Sequence, residues 1–362
     1  MTDLSETKIR KALTAADETK RGILMIRRVG KRTLEFENMP NIVGFSSVAG
    51  KKEGEGPLGA YFDKIHYDPH IGQDSWEKAE SVMQKQALSS ALEMAQIKGE
   101  DVQYVFAGDL LNQCISSSYG LRDFQIPYLG QYGACSTMAQ SLIMAAVMVE
   151  SEAAQAAACV TSSHFCTAER QYRYPLEYGG QRPPTAQWTV TGSGSCVLSA
   201  KSKKAVPHVK YATVGKIVDL EVTDINNMGA AMAPAACDTL KSFFEDTSTA
   251  ACDYDAVITG DLGKTGSALL YDLMNGYGYK IDEKHRDCGM LIYDLNEQDV
   301  HCGGSGCGCG ASVLCSYLLK SMLSGEIKNM LFMATGALMS PTSNQQGESI
   351  PSIAHLVNIR TE

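Results

Sequence analysis

A cysteine does chemistry only where its surroundings hold the thiolate, so the twelve cysteines of this chain are the first residues to sort. Most lie in small or apolar runs: Cys159 in AAACV, Cys196 in GSCVL, Cys315 in VLCSYLL. Free cysteine in such a setting is a small buried hydrophobe, and that usage fits a reducing compartment. Cys135 is set differently. It stands in GACST, residues 133–137, where a glycine turn leads into the apolar run SLIMAAVMV. At a helix start, unpaired backbone N–H groups and the helix dipole stabilise a thiolate or seat another anion. Cys135, Ser136 and Thr137 are therefore candidates for a nucleophile or for an anion-binding floor.

Other polar groups fall at neighbouring chain turns. Thr161, Ser162, Ser163 and His164 end the next expected strand and can share a pocket with Cys135. Asp109 ends an earlier one, where it orients a donor, binds a cation or caps the following turn. Arg170 and Arg173 offer guanidinium forks to carboxylates, and Tyr172, Tyr174 and Tyr178 offer aromatic faces. Loop support and dimer contacts are the commoner use of both. Cys307, His285 and His355 complete the candidates, although a lone histidine is more often hydrogen-bonded structure. His301 and Cys302 with Cys307 and Cys309 can be read as a zinc site. The absence of paired Cys-x-x-Cys knuckles and the glycine spacing favour a backbone loop instead, so neither metal nor cofactor is expected.

These groups must be held by alternating strands and helices. TLEF, from Thr33, predicts a short strand, and GKKEGEGPLG after it a long exposed loop. Asp74-Ser-Trp-Glu77 predicts a helix start capped by Asp74, with Trp76, Met83, Ala87, Ala91 and Met94 following at helical spacing. A buried strand is expected over Val102–Ala107. The chain also repeats itself. QYVFAGDL (103–110) matches DAVITGDL (255–262), and the 31 residues from Gly133 align without gaps with those from Gly306. Two related pairs in one order indicate a duplicated unit. The expected organisation is an extension over 1–24, expected to be flexible, then halves at 25–203 and 204–362. Buried strands alternating with helices imply parallel sheets with helices packed on them.

GACST resembles the nucleophile turn of thiolases and ketoacyl synthases, and TGSGSCVLS (191–199) and CGGSGCGCGA (302–311) resemble their glycine-rich segments. The resemblance runs from about Met25 to the end. It implies an α/β thiolase-like five-layer αβαβα fold of two duplicated halves, and a homodimer. The departures are chemical. GGSGCGCG lacks the thiolase histidine, Ala334 stands in MATGALMS where a late cysteine is expected, and Gly260-Asp261 replace the synthase histidine. Without a base, Cys135 is a poor catalyst.

A non-condensing branch fits better. EGPLG (55–59), FAGDLLNQ (106–113), TSSHFCTAERQYRYPLEYGGQ (161–181), MGAAMAPAA (228–236), DCGMLIYD (287–294) and GESIPSIAH (347–355) resemble the stage V sporulation protein AD family. The resemblance implies binding of dipicolinic acid, alone or with calcium, during uptake into the developing spore. It implies membrane subunits as partners, peripheral attachment to the spore inner membrane, and roles in sporulation and germination. The ligand site is expected from Asp109, Cys135, Ser136, Thr137, Ser163, His164, His285 and Cys307. An acyl-transferring enzyme with Cys135 as nucleophile is the alternative.

Composition bounds these readings. A net charge of −9 argues against a nucleic-acid partner. No stretch reaches the roughly 20 apolar residues needed to span a bilayer, and GILMI (22–26) is too short for a signal-peptide core.

Overall fold

The computed structural model describes residues 26–172, 182–202 and 205–361. The 1–24 extension and Arg173, Tyr174 and Tyr178 lie outside the described residues.

Two sets of five strands carry the fold. The first half supplies β1 (Asn41–Gly50), α1 (Trp76–Ala95), β2 (Tyr104–Gly108), α2 (Ile115–Leu121), β3 (Tyr128–Gly130), α3 (Thr137–Glu150), β4 (Ala156–Ser163), α4 (Phe165–Tyr172) and β5 (Gly192–Ser199). The second supplies β6 (His208–Thr213), α5 (Met228–Thr247), β7 (Ala256–Thr259), α6 (Gly263–Gly276), β8 (His285–Asp287), α7 (Cys307–Val313), β9 (Asn329–Ala337) and β10 (Ser352–Arg360). A π turn, Leu314–Leu318, carries α7 on into Leu319–Leu323.

The spatial orders are β3-β2-β4-β5-β1 and β8-β7-β9-β10-β6, with β1 and β6 meeting antiparallel at Asn41 and His208. In each set the first three strands are parallel and the remaining pairings antiparallel. Parallel neighbours need crossovers, and the helices supply them. The repeated sequence segments fall on equivalent elements, β2 with β7 and α3 with α7.

Layering follows from which helices are apolar all round. Every residue of α7 is buried, and α3 buries Met138, Leu142, Ala145 and Ala146. Both lie between the sheets, in a central core with Cys159, Cys196, Leu314 and Phe332. Outside one sheet, α1 sets Met83, Ala87 and Ala91 against Val105 and Val160. Outside the other, α5 sets Met232, Leu240, Phe243 and Phe244 against Leu331. The result is five layers, helix–sheet–helix–sheet–helix. All twelve cysteines are free.

Two local expectations need correction. Ser75, not Asp74, caps α1: its hydroxyl accepts from the Lys78 N–H at 3.4 Å, while Asp74 pairs with the Lys78 ammonium. Ser75 directly precedes the first helical residue in extended backbone, the position from which a side chain reaches that N–H. Nor is the 50–59 segment simply an exposed loop. Its Lys51–Gly54 turn buries Glu53, which accepts from the Tyr293 hydroxyl and the Thr191 N–H.

The central layer fits because backbones approach without side chains. A Cβ on Gly194 of β5 would stand 2.1 Å from the Ala311 carbonyl oxygen of α7. Gly194→Ala must push helix and sheet apart, and overpacking of this kind costs about 1–3 kcal/mol or more. Urea unfolding is expected to show that loss; unchanged stability would contradict the close packing.

Candidate functional site

GACST folds as a tight turn that uses its own hydroxyls. Ala134 sits in left-handed backbone (φ 50°), and Ala134–Ser136 form a single 3₁₀ turn before α3 begins. The Ser136 hydroxyl donates to the Gly133 carbonyl and the Thr137 hydroxyl to the Ala134 carbonyl, each at 2.6 Å. Gly336 of β9 packs beneath, where a Cβ would lie 2.4 Å from the Gly133 oxygen. With both hydroxyls engaged and the turn pressed on β9, the half-buried Cys135 faces a cavity of about 420 Å³.

Both halves line that cavity. Leu110, Asn112, Tyr132, Glu169, Tyr172 and Thr189 come from one; Met228, Met232, Asp261, Gly306, Leu338 and Ser343 are among those from the other. Asp261, at the end of β7, is the group opposite the cysteine. Its Oδ2 accepts from the Gly306 N–H at 3.0 Å, and its Oδ1 accepts from the Thr335 hydroxyl at 2.9 Å. It lies beside the Cys135 thiol on the cavity wall, close enough for each group to shift the other's ionisation. Burial, with Asp287 nearby, pushes Asp261 up to about 7. Burial and then the neighbouring Asp261 hold the Cys135 thiol well above its ordinary range. The helix start does not yield the thiolate expected from the sequence.

Of the residues named from the sequence, Cys135 and the aromatic candidate Tyr172 are on the described cavity wall. Ser136 and Thr137 are spent within the turn. Asp109 caps the turn after β2, accepting from the N–H groups of Leu111 (2.9 Å) and Ser117 (2.8 Å) and the Ser117 hydroxyl (2.6 Å). It thereby shapes the wall at Leu110 and Asn112. Ser163 donates to the Val190 carbonyl (2.7 Å) and accepts from the Gly308 N–H (3.1 Å), joining β4 to α7. His164 Nε2 lies 2.9 Å from the Pro69 carbonyl oxygen. His285 sits between the hydroxyls of Thr259 (2.8 Å) and Tyr271 (2.9 Å). The Cys307 thiol donates to the Ser162 carbonyl at 2.9 Å, and His355 Nδ1 accepts from the Gly215 N–H. Arg170 pairs with Glu77.

Sequence reasoning missed Asp261, Glu169 and Thr335 as site groups. The match of Gly108-Asp109 to Gly260-Asp261 was the available signal, but an alignment does not say which aspartate faces a cavity.

The comparisons with known proteins bear on this geometry. Residues 30–360 match the family model for stage V sporulation protein AD. The chain is 45% identical over 330 residues to the stage V sporulation protein AD of Bacillus subtilis (strain 168), covering 91% of this chain and 97% of that protein. The chain belongs to the stage V sporulation protein AD family. Its fold is similar to that of 3-oxoacyl-[acyl-carrier-protein] synthase III from Aquifex aeolicus VF5, at 12% identity and a TM-score of 0.55, over 89% of this chain and 99% of that one. It is likewise similar to cerulenin-bound OleA from Xanthomonas campestris, at 12% identity and a TM-score of 0.57, over 92% and 98%. These neighbours establish a thiolase-like fold. Residue 261 is the cavity-lining Asp261 and residue 334 the fully buried Ala334, neither of them an imidazole or a thiol.

A second acidic cluster lies behind Asp109. Glu80 of α1 is fully buried and accepts from the hydroxyls of Ser162 and Thr167, each at 2.8 Å. Gln84, one turn on, donates to Ser162, Ser117 and the Gly108 carbonyl. Burial and the adjacent Asp109 push Glu80 from 4.5 up to about 8. A carboxyl raised on folding keeps its proton longer in the folded chain, so its contribution is full below the unfolded pKa and lost as pH rises toward the folded one. Asp261 acts with the same sign up to about 7. Urea unfolding at a series of pH values is expected to show stability falling from about pH 5 to about pH 8, by at most about 1.4 kcal/mol per pH unit for each group. Glu80→Gln should flatten the upper part of that slope. A wild type that gains stability over this range would refute the assignment.

Proposed function

We propose that the chain is a non-catalytic binding protein whose cavity takes dipicolinic acid, alone or with calcium, and supports its uptake into the developing spore. The observation that carries this reading is the pairing of Cys135 with Asp261 rather than with an imidazole. A thiol held well above 9 does not pass its proton to a carboxyl titrating near 7. What is left is a cavity with a thiol donor, the aromatic rings of Tyr132 and Tyr172, and room for a planar diacid. Family membership supplies the sporulation setting. Among the described residues no helix is long and apolar enough to cross a membrane. Attachment at the spore inner membrane is therefore assigned to membrane subunits of the same system. The alternative, acyl transfer through Cys135, draws its support from that thiol's exposure to the cavity and from the enzymes that share the fold.

Calorimetry with dipicolinate is expected to show binding by the wild type, weakened about tenfold in Cys135→Ala, or about 1.4 kcal/mol. No heat and no thermal shift at millimolar ligand would sink the reading. Incubation with acetyl- or malonyl-CoA should leave the intact mass unchanged; a stable adduct on Cys135 would establish the alternative.

The homodimer is proposed on the free edge of the first sheet. Among the described residues β3 pairs with β2 alone, all its residues are exposed, Leu129 included, and Tyr119 and Tyr132 are exposed aromatics in the segments before and after it. An unpaired edge of this kind is a template for a second chain. Light scattering should give a dimer mass for the wild type and a monomer mass for Leu129→Lys. A wild-type monomer at micromolar concentration would rule this out.

A further inference from the structure

We propose that Asp261 is the carboxyl that meets a ligand carboxylate in this cavity, and that it takes up one proton when the ligand binds. The inference rests on the cavity-binding reading above and concerns how that cavity accepts an anion.

The difficulty it resolves is electrostatic. A dicarboxylate needs counter-charge, yet the described lining carries the carboxyls of Asp261 and Glu169 and no lysine, arginine or histidine. Glu169 is engaged by the Thr189 hydroxyl at 3.3 Å. Asp261 is the carboxyl directly beside Cys135 at the cavity floor. An ionised ligand pressed against an ionised Asp261 in a water-poor cavity is repelled. One added proton converts that contact into an O–H···O⁻ hydrogen bond, the short, charge-assisted kind.

Every element packed on Asp261 is consistent with this. The turn before α3 brings the Cys135 thiol, which donates to the carboxylate or accepts from the acid. The start of α7 brings the Gly306 N–H, with the thiols of Cys307 and Cys309 behind it. β9 brings the Thr335 hydroxyl. β8 brings Asp287, whose charge opposes ionisation of Asp261, and Cys288 follows it. On the far side of Thr259, His285 is pushed down to about 4 by burial, so it is neutral. Oδ2 accepts from the Gly306 N–H and Oδ1 from the Thr335 hydroxyl, and each oxygen has room for another partner. With its midpoint near 7, the group changes state at little cost.

The sign follows from linkage. If the protonated form binds, a free protein above pH 7 must first take a proton from solvent, so Kd rises about tenfold per pH unit there and levels off below pH 7. Both ligand carboxyls stay ionised across that range, so the ligand does not produce the slope. Glu80, titrating near 8 outside the cavity, is the group that an Asp261 variant must be used to separate.

The test is calorimetry of the wild-type protein with dipicolinate from about pH 6 to about pH 9, repeated in two buffers of different ionisation heat. Uptake of close to one proton per ligand above pH 8 is expected. Asp261→Asn should bind with a Kd that no longer varies with pH. Thr335→Val removes a donor to Asp261, so the bend in the wild-type profile should move to higher pH even if the asparagine variant fails to fold. Binding with no proton uptake, or a slope unchanged in Asp261→Asn, overturns this inference and leaves the binding reading standing. So does binding that requires calcium and releases no buffer heat difference. Absence of binding at every pH removes the binding reading and this inference together.

Discussion

Two helix starts, one from each half, have to fit into the gap between two sheets, and the rest of the structure depends on that fit. It is achieved by removing side chains where backbones cross. Gly194 admits the Ala311 carbonyl, Gly308 admits the Gly192 carbonyl, and Gly336 admits the turn at Gly133. Because these contacts are backbone on backbone, they have little room to relax, as in any close-packed interior. They also decide where the site lies. The turn before α3 delivers Cys135 and the start of α7 delivers the Gly306 N–H, and both converge on Asp261. The cavity is a product of the duplication, since neither half contains its floor alone.

Much of the frame was legible in the sequence because it is written in composition. Gly133, Ala134, Ser136 and Thr137 around Cys135 are small enough for a helix start packed between two sheets, where large side chains would not fit. The gapless match of the segments from Gly133 and from Gly306 then fixes their equivalence, and the strand pairings of the two halves repeat each other. The cap of α1 was misassigned by one residue, because Asp74 and Ser75 are both good caps and only backbone dihedrals distinguish them. The site was far less legible. Ser136, Thr137, Ser163, His164, His285 and Cys307 are polar residues at strand and helix ends, where pocket residues commonly occur. Each satisfies a neighbouring backbone or hydroxyl group instead, which buried polar groups must do. Sequence gives the position of such a side chain but not its partner.

Asp109 and Asp261 show how a duplicated position diverges. Both end a buried strand after glycine, and both are buried carboxyls pushed upward. Asp109 accepts from Leu111 and Ser117 in its own following segment. In the second half that capping work passes to Asp287, which accepts from the N–H groups of Leu262 and Gly263. Asp261 is thereby released to face the cysteine of the other half. One additional carboxyl on β8 is enough to turn a structural residue into a cavity wall.

The same exchange explains why a cysteine at a helix start stays protonated. The field of a helix terminus is worth about 0.3–1 kcal/mol, and at most about 2 kcal/mol in buried geometry. Burial of a thiolate beside a carboxylate opposes ionisation by more than that, since full burial alone shifts such groups by up to 3–5 pKa units. An imidazole in place of Asp261 would reverse the balance by supplying a positive partner for the sulfur. With an aspartate there, Cys135 and Asp261 hold one shared proton system rather than a nucleophile and its base. Such a pair is suited to hydrogen-bonding a group held in the cavity, and one side-chain difference sets this without any change in the surrounding fold.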